Sequence, residues 1–291
     1  MPALGLFGAN MGACASAEGA TQVAVLAEEL GYDSLWLGEH VVAPRPRVAP
    51  SVIEPDYPLL DPVVTLGLMA AVTEHVRLAT GIVILPQRNP VVLAKELATV
   101  DVLSSGRLVF GMGVGYVEPE MSAVGVPMEG RGARAVEYLR AMRSLWEDEA
   151  PSLRGTHVSF EGVDAHPRPV QRPIPVVVGG HTAAAHRRAA VHAAGWYGFM
   201  LDRETTAKQI ESLRREADAA GRERETLTIT VSPSEQLDPA VMRDYGELGV
   251  DRLVLVAPGA FWRPGASLSA FAEFVRDNAP ERVGAEPLGA A

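Results

Sequence analysis

Between Gly81 and Tyr116 the chain reads GIVILP, then QRNP, then VVLAKELATVDVLSSG, then RLVFGMGVGY. A buried strand, a helix start, a helix, a helix stop and a second buried strand follow one another. Ile82, Val83, Ile84 and Leu85 form a continuous apolar run, as expected of a parallel strand covered on both faces. Asn89 can cap a helix, and Pro90 suits the first helical position, where no N–H is needed. Leu93, Leu97, Val100 and Leu103 recur at three- and four-residue spacing and give one apolar face. Gly106 can take the left-handed conformation that ends a helix, and Leu108, Val109 and Phe110 open the next strand. Such a unit sets two strand tips on the same side of a sheet, the side where βα proteins bind ligands.

The same grammar recurs. Asp61-Pro62 and Asp238-Pro239 open helices as Asn89-Pro90 does, and Gly31, Gly221 and Gly249 stop them as Gly106 does. Glu29–Leu37 and Glu247–Leu255 are near copies, each a helix end, a glycine stop and a buried strand. Eight apolar strand candidates emerge, over residues 4–8, 34–37, 77–85, 107–111, 174–178, 196–201, 227–231 and 252–256, each followed by a helical pattern. Eight βα units predict an α/β fold, a TIM (β/α)8 barrel, which typically needs ~250 residues. An open doubly wound sheet would leave one or two units over. Insertions follow strands 2 and 4. One spans residues 39–60 and carries five prolines; the other spans 114–173 and holds a helix over 131–146. Loops at those tips shape substrate sites in barrel enzymes, although surface decoration is the plainer reading. Residues 1–280 are expected to form a single domain, and 281–291 a flexible tail.

A hydrophobic content of 47% in 291 residues supports one large core. No apolar run reaches the ~18 residues of a membrane span. The N-terminal MPALGLFGAN runs straight into a strand without a basic stretch or cleavage site, so no signal peptide is expected. The single cysteine, Cys14, excludes an internal disulfide and fits a cytoplasmic location. A net charge of −10 argues against bulk nucleic-acid binding.

The seven histidines form no metal-binding spacing, and Glu39-His40 lacks a convergent carboxylate set, so no metal is expected. No G-x-S-x-G elbow is present. Gly111-Met112-Gly113-Val114-Gly115 lacks the third glycine of a dinucleotide fingerprint. Val176–Thr182 is the better phosphate candidate: a buried strand ends in Gly179-Gly180, then His181-Thr182 precede a strong helix former, with Arg187 or Arg188 available to add charge. Close backbone approach, free N–H groups and the helix dipole would favour an anion there. A tight turn with Thr182 as an ordinary cap accounts for the residues equally well.

The segments LGYDSLWLGEH, ATGIVILPQRNPVVLAKELATVDVLSSGRLVFGMGVGY, EGRGARAVEYLRAMRSLW and PRPVQRPIPVVVGGHTAAAHRRAA, in this order, resemble the luciferase-like monooxygenase superfamily, and most of all its coenzyme F420-dependent oxidoreductase branch. The resemblance covers roughly residues 4–256. It implies a luciferase-like TIM barrel with a flavin or deazaflavin ring across the strand tips. It also implies a non-proline cis peptide in the third strand that bulges against the back of the ring, matched by Gly81-Ile82, so that Thr80, Gly81 and Ile82 would contact the cofactor. Glu39-His40 matches the acidic residue and histidine at the second strand tip: His40 would handle a proton as hydride moves, and Glu39 would orient it or bond the ring. Imidazole, which titrates near neutral pH, suits that work. Val114, Gly115 and Tyr116 would contact the ring edge, and Gly179, Gly180, His181 and Thr182 the phosphate. Two departures stand out. Ala193-Ala194-Gly195-Trp196 replaces the family's Gly-Asp-Gly-Trp, and no lysine cluster awaits a polyglutamate tail.

The resulting expectation is an F420-dependent oxidoreductase that moves a hydride between the deazaflavin and a small organic substrate. The alternatives are an FMNH2-dependent two-component monooxygenase, and a cofactor-free barrel acting as a binding or scaffolding subunit. A flavin or F420 reductase is a candidate partner. A homodimer or higher homo-oligomer is expected, with neither nucleic acid nor membrane as a partner.

Overall fold

The structure, a computed structural model, describes residues 1–288. Eight parallel strands close into a barrel: β1 (Ala3–Phe7), β2 (Ser34–Leu37), β3 (Arg77–Thr80), β4 (Leu108–Gly113), β5 (Val176–Gly179), β6 (Gly195–Leu201), β7 (Thr228–Pro233) and β8 (Arg252–Leu255). Each neighbours the next in sequence. β8 returns to β1 in the register Leu4↔Leu253 and Leu6↔Leu255, and β3 meets β4 at Leu78↔Leu108 and Ala79↔Val109. The helices are α1 (Ala17–Glu29), α2 (Pro62–Ala70), α3 (Pro90–Leu103), α4 (Glu118–Ala123), α5 (Arg131–Glu147), α6 (Ala183–His192), α7 (Arg203–Ala219), α8 (Pro239–Glu247), α9 (Leu268–Asp277) and α10 (Pro280–Val283). Among the described residues no helix is long and apolar enough to cross a membrane.

Local chemistry sets the boundaries. Asp61, Asn89 and Asp238 each accept two backbone N–H groups at the first turn of α2, α3 and α8, and proline follows each cap. Gly31, Gly106, Gly221 and Gly249 stop helices with φ of 81°, 83°, 67° and 90°. Strand parity then sorts the side chains into two layers. Leu35, Leu37, Leu78 and Phe110 point outward beneath the helices, while Trp36, Ala79, Val109, Tyr197 and Val254 fill the barrel. The Trp36 indole donates to Ser34 Oγ at 2.8 Å. It requires Gly5 opposite, where a Cβ would sit 3.0 Å from the ring.

The third strand is shorter than the expected run over 77–85. It breaks at Gly81-Ile82, whose peptide bond is cis, as the resemblance implies, and resumes at Val83–Ile84 against Met112 and Gly113. The insertion over residues 39–60 is pinned at both ends by the buried Asn10 amide, which donates to Gly38 O at 2.9 Å and Leu60 O at 2.8 Å. The insertion over 114–173 holds α4, α5 and a short hairpin, Leu153–Arg154 with Ser159–Phe160. Trp146 anchors α5 to α3 through Ala94 O at 2.9 Å.

Residues 281–288, expected to be a flexible tail, instead pack beneath the barrel. Val283 and Ala285 are buried, and the Leu288 N–H donates to Gly31 O at 2.8 Å. Two apolar side chains with a place to bury outweigh the tail's small and polar composition. Residues 289–291 of that expectation lie outside the described residues.

Candidate active site

The strand tips open into one cavity of about 1870 Å³. Glu39, His40, Gly81, Ile82, Val114, Gly115, Tyr116, Gly179, Gly180, His181 and Thr182 all line it. Thr80 does not. It is fully buried and its hydroxyl donates to Gly111 O at 2.6 Å. Period-two alternation is the reason: Ala79 faces the barrel interior, so Thr80 faces the helices with Leu78 and closes the β3–β4 seam.

His40 stands at the tip beyond β2 with its side chain 14% exposed. Its Nδ1 lies 2.8 Å from Glu120 Oε2, and Glu120 Oε1 accepts the Val41 N–H at 2.7 Å. An ionised carboxylate can only accept, so the network assigns the His40 proton to Nδ1 and leaves Nε2 for the cavity. Glu120, on α4, is 1% exposed. The Tyr116 ring stands edge-on to His40 at 5.9 Å. Burial, and then Glu120, push its phenol up, so it stays a neutral donor.

The expected role of Glu39 as the residue that orients His40 is corrected. Its carboxylate turns the other way and accepts the Ile84 N–H at 2.5 Å and Arg88 Nε at 2.9 Å. Arg88 bridges on to Asp61 Oδ2 at 2.5 Å, so Glu39 ties β2 to the kinked end of β3 and to the α2 cap. Burial pushes the Glu39 carboxyl above its usual range, while Arg88 and the Ile84 N–H pull against that shift.

On the far side, four glycines keep the wall close to the backbone. A Cβ on Gly113 would lie 2.4 Å from Ile82 Cδ1, and one on Gly179 would lie 3.2 Å from Ile82 Cγ2. Gly115 and Gly180 have φ of 77° and 122°. The Trp196 indole donates to Gly180 O at 2.7 Å, which fixes the turn between β5 and α6. Thr182 caps α6 by accepting the Ala185 N–H at 3.2 Å. His181 Nε2 accepts the Phe199 N–H at 3.1 Å, and burial holds its ring below the usual imidazole range. It is therefore a neutral ring whose proton sits on Nδ1 as a donor.

Two arginines join this turn. Arg131, first residue of α5, donates to Gly115 O at 3.2 Å and Met128 O at 2.8 Å. Arg188, one turn into α6, has a buried Nε with no partner. Burial, and then Arg131, pull Arg188 below its usual range. Neither makes an ion pair with a carboxylate among the described residues. Arg187 points outward to Glu216 at 2.9 Å. Uncompensated like charges beside the N-terminus of α6 form a site suited to an anion.

The family profile described as luciferase-like monooxygenase matches residues 4–239. The chain belongs to the luciferase-like monooxygenase family. An uncharacterized protein of Mycobacterium tuberculosis is 34% identical over 244 residues, 80% of this chain and 85% of that one. An F420-dependent glucose-6-phosphate dehydrogenase of Kineococcus radiotolerans is 32% identical over 231 residues, 75% and 64% of the two chains. An FMNH2-dependent dimethylsulfone monooxygenase of Pseudomonas putida is 30% identical over 159 residues, 53% and 43% of the two chains. The crystal structure of a long-chain alkane monooxygenase superposes with a TM-score of 0.76 over 94% of this chain and 89% of that one, at 17% identity, a likeness of fold. The luciferase-like family thus has F420-dependent and FMN-dependent oxidoreductases among this chain's relatives.

Glu120, Arg131 and Arg88 escape sequence reading as site residues. Arg131 carried one local signal, its place at the start of the EGRG helix. Glu120 carried none, because 80 residues separate it from His40.

Proposed function

We propose that this member of the luciferase-like family is an F420-dependent oxidoreductase that moves a hydride to or from a small organic substrate. One observation carries the reading: the free Nε2 of His40 and the uncompensated Arg131–Arg188 pair line one cavity walled by glycines. The residues fit such a group. The unpartnered Arg188 Nε, Arg131, the first turn of α6 and the His181 Nδ1 proton would hold its phosphate. Gly81-Ile82, Val114 and Gly115 would lie along its ring. The bound deazaflavin supplies a two-electron hydride donor or acceptor. His40 would give a proton to, or take one from, the reacting oxygen through Nε2, with Glu120 holding the ring in that tautomer. Tyr116 would screen His40 from water.

The F420 choice is supported by the longer match to the F420-dependent relative than to the FMNH2-dependent one. An FMNH2-dependent monooxygenase served by a separate reductase is the second reading, since phosphate and ring make the same demands. Fluorescence titration of the purified chain with F420 and with FMN separates them. Micromolar F420 binding is expected. Tight FMN binding without F420 binding would give the site to the second reading, and binding of neither would favour a scaffolding barrel.

We further propose that the chain self-associates through α2 and α3. Val64, Leu68 and Val72 recur at four-residue spacing with 75%, 37% and 38% exposure, beside Val92 at 53% on α3. Light scattering at micromolar concentration should give at least a dimer, and Leu68→Glu should halve that mass. A wild-type monomer would refute the interface.

A further inference from the structure

The cavity is larger than a cofactor needs. Ligand pockets usually measure ~300–1,000 Å³, against about 1870 Å³ here. Beyond His40 and the arginine pair, the same cavity is lined from the tips of β1, β6, β7 and β8. Its wall there is aromatic. Phe7 meets Phe199 at 5.1 Å between ring centroids and Trp262 at 6.4 Å. Gly8, with φ 89°, lets the indole fold onto the strand tip, because a Cβ there would lie 2.3 Å from Trp262 Cη2. Phe199 is 38% exposed, so part of its ring stays open.

A weakly engaged polar group lines the cavity beside these rings. Tyr57, from the first insertion, donates to Met11 Sδ at 3.1 Å. A thioether is a weak acceptor, so that hydroxyl is under-used. Burial pushes the phenol well above its usual range, which keeps it a neutral donor. The charges at this end offer an anion no surplus cation. Glu235 and Asp277 on the rim pair with Arg203 at 3.5 Å and Arg282 at 2.9 Å, Arg47 is engaged by Glu54 at 2.9 Å, and Glu273 stands against Arg263. A phosphorylated or carboxylated substrate would find no uncompensated positive charge here to offset its desolvation.

We propose that this aromatic chamber is the substrate site, and that it takes an uncharged, flat apolar molecule at least the size of naphthalene whose carbonyl or hydroxyl oxygen accepts the Tyr57 O–H. The chamber's role as substrate site rests on the cofactor reading, whereas the class of ligand it binds rests on its own walls. The inference separates this chain from its sugar-phosphate-oxidising relative, whose substrate is an anion. Rings stack on aromatic walls at low entropic cost, and a half-buried phenol held only by a thioether favours ligands that offer it an oxygen acceptor.

Isothermal titration of the full chain, with and without saturating F420, tests the class with three probes: 2-acetylnaphthalene, 2-naphthoate and glucose 6-phosphate. The neutral ketone should bind at least tenfold more tightly than either anion. Phe199→Ala should weaken it about tenfold through lost apolar contact, and Tyr57→Phe about fivefold through the lost hydrogen bond. Both variants should keep the wild-type affinity for F420. Equal or tighter binding of an anion, or ketone binding unchanged in both variants, would overturn the proposal. Ketone binding by a chain that does not bind F420 would keep the ligand class and sink the cofactor reading instead.

Discussion

Replacing His40 with alanine should lower turnover of any substrate the wild-type chain accepts by ~10²–10⁴-fold, the usual worth of a positioned acid or base. Cofactor affinity should change by less than about tenfold, because the imidazole offers one contact among many. The network around it predicts a sharper result for Glu120→Gln. The Val41 N–H pins one oxygen of that side chain, so the glutamine oxygen must stay there and its NH2 must face His40 Nδ1. A donor at that point forces the ring proton onto Nε2, the wrong nitrogen for accepting a proton from substrate. Turnover in the direction that takes a proton from the substrate should fall about 100-fold, close to the loss in His40→Ala. The reductive direction, in which the protonated ring donates, should suffer less. Stopped-flow absorbance at single turnover reads both directions. Equal losses in both directions for Glu120→Gln would mean that the carboxylate only packs α4 against the tip, and unimpaired His40→Ala would remove the histidine from the mechanism.

The second large effect belongs to Arg188. Each charge-assisted contact to a phosphate contributes about 1.5–3 kcal/mol, so Arg188→Ala should weaken F420 by roughly 10–100-fold. The loss should be confined to phosphorylated cofactor. The same deazaflavin without its phosphate should bind wild type and variant alike. The fold should not suffer: the substitution removes a half-buried cation that lies near Arg131 with no carboxylate to balance it. Thermal unfolding should give an unchanged or higher midpoint. Equal weakening of both ligands would mean that the side chain supports the ring rather than the phosphate, and an unaltered F420 affinity would end the anion assignment. Arg187→Ala is the control, since that side chain is spent on Glu216 at the surface.

What is legible in the sequence and what is not divide along a physical line. The caps at Asp61, Asn89 and Asp238 and the stops at Gly31, Gly106, Gly221 and Gly249 are decided within about four residues of backbone. Spacing alone therefore marks those helix ends and, with the apolar runs between them, the eight strands. Thr80 lies outside the cavity lining for a reason of the same local kind. It sits one residue from the kink, and one residue along a strand turns a side chain to the opposite face. The residues flanking it, Ala79 and Gly81, face inward or bend toward the cavity.

Glu39 and Glu120 mark where local rules stop. Glu39 adjoins His40 in the chain, yet its carboxylate is drawn to Arg88 and Ile84 across β3. Glu120 reaches His40 only because α4 folds back over the tips of β2 and β4. Arg131 and Arg188 come together because the Arg188 side chain reaches the first turn of α5, where a Cβ on Gly132 would lie 3.0 Å from its Nη1. By itself the amino-acid order determined the repeating unit, the number of units, and the two tips that carry His40 and the Gly179-Gly180 turn. Backbone preference and hydrophobic period act over neighbours, so both are written in consecutive residues. Barrel closure alone decided which carboxylate orients the histidine, which arginines stand without counter-charge, and which aromatic faces enclose the remaining space. Those pairings join segments dozens of residues apart, and they exist only once β1 has met β8.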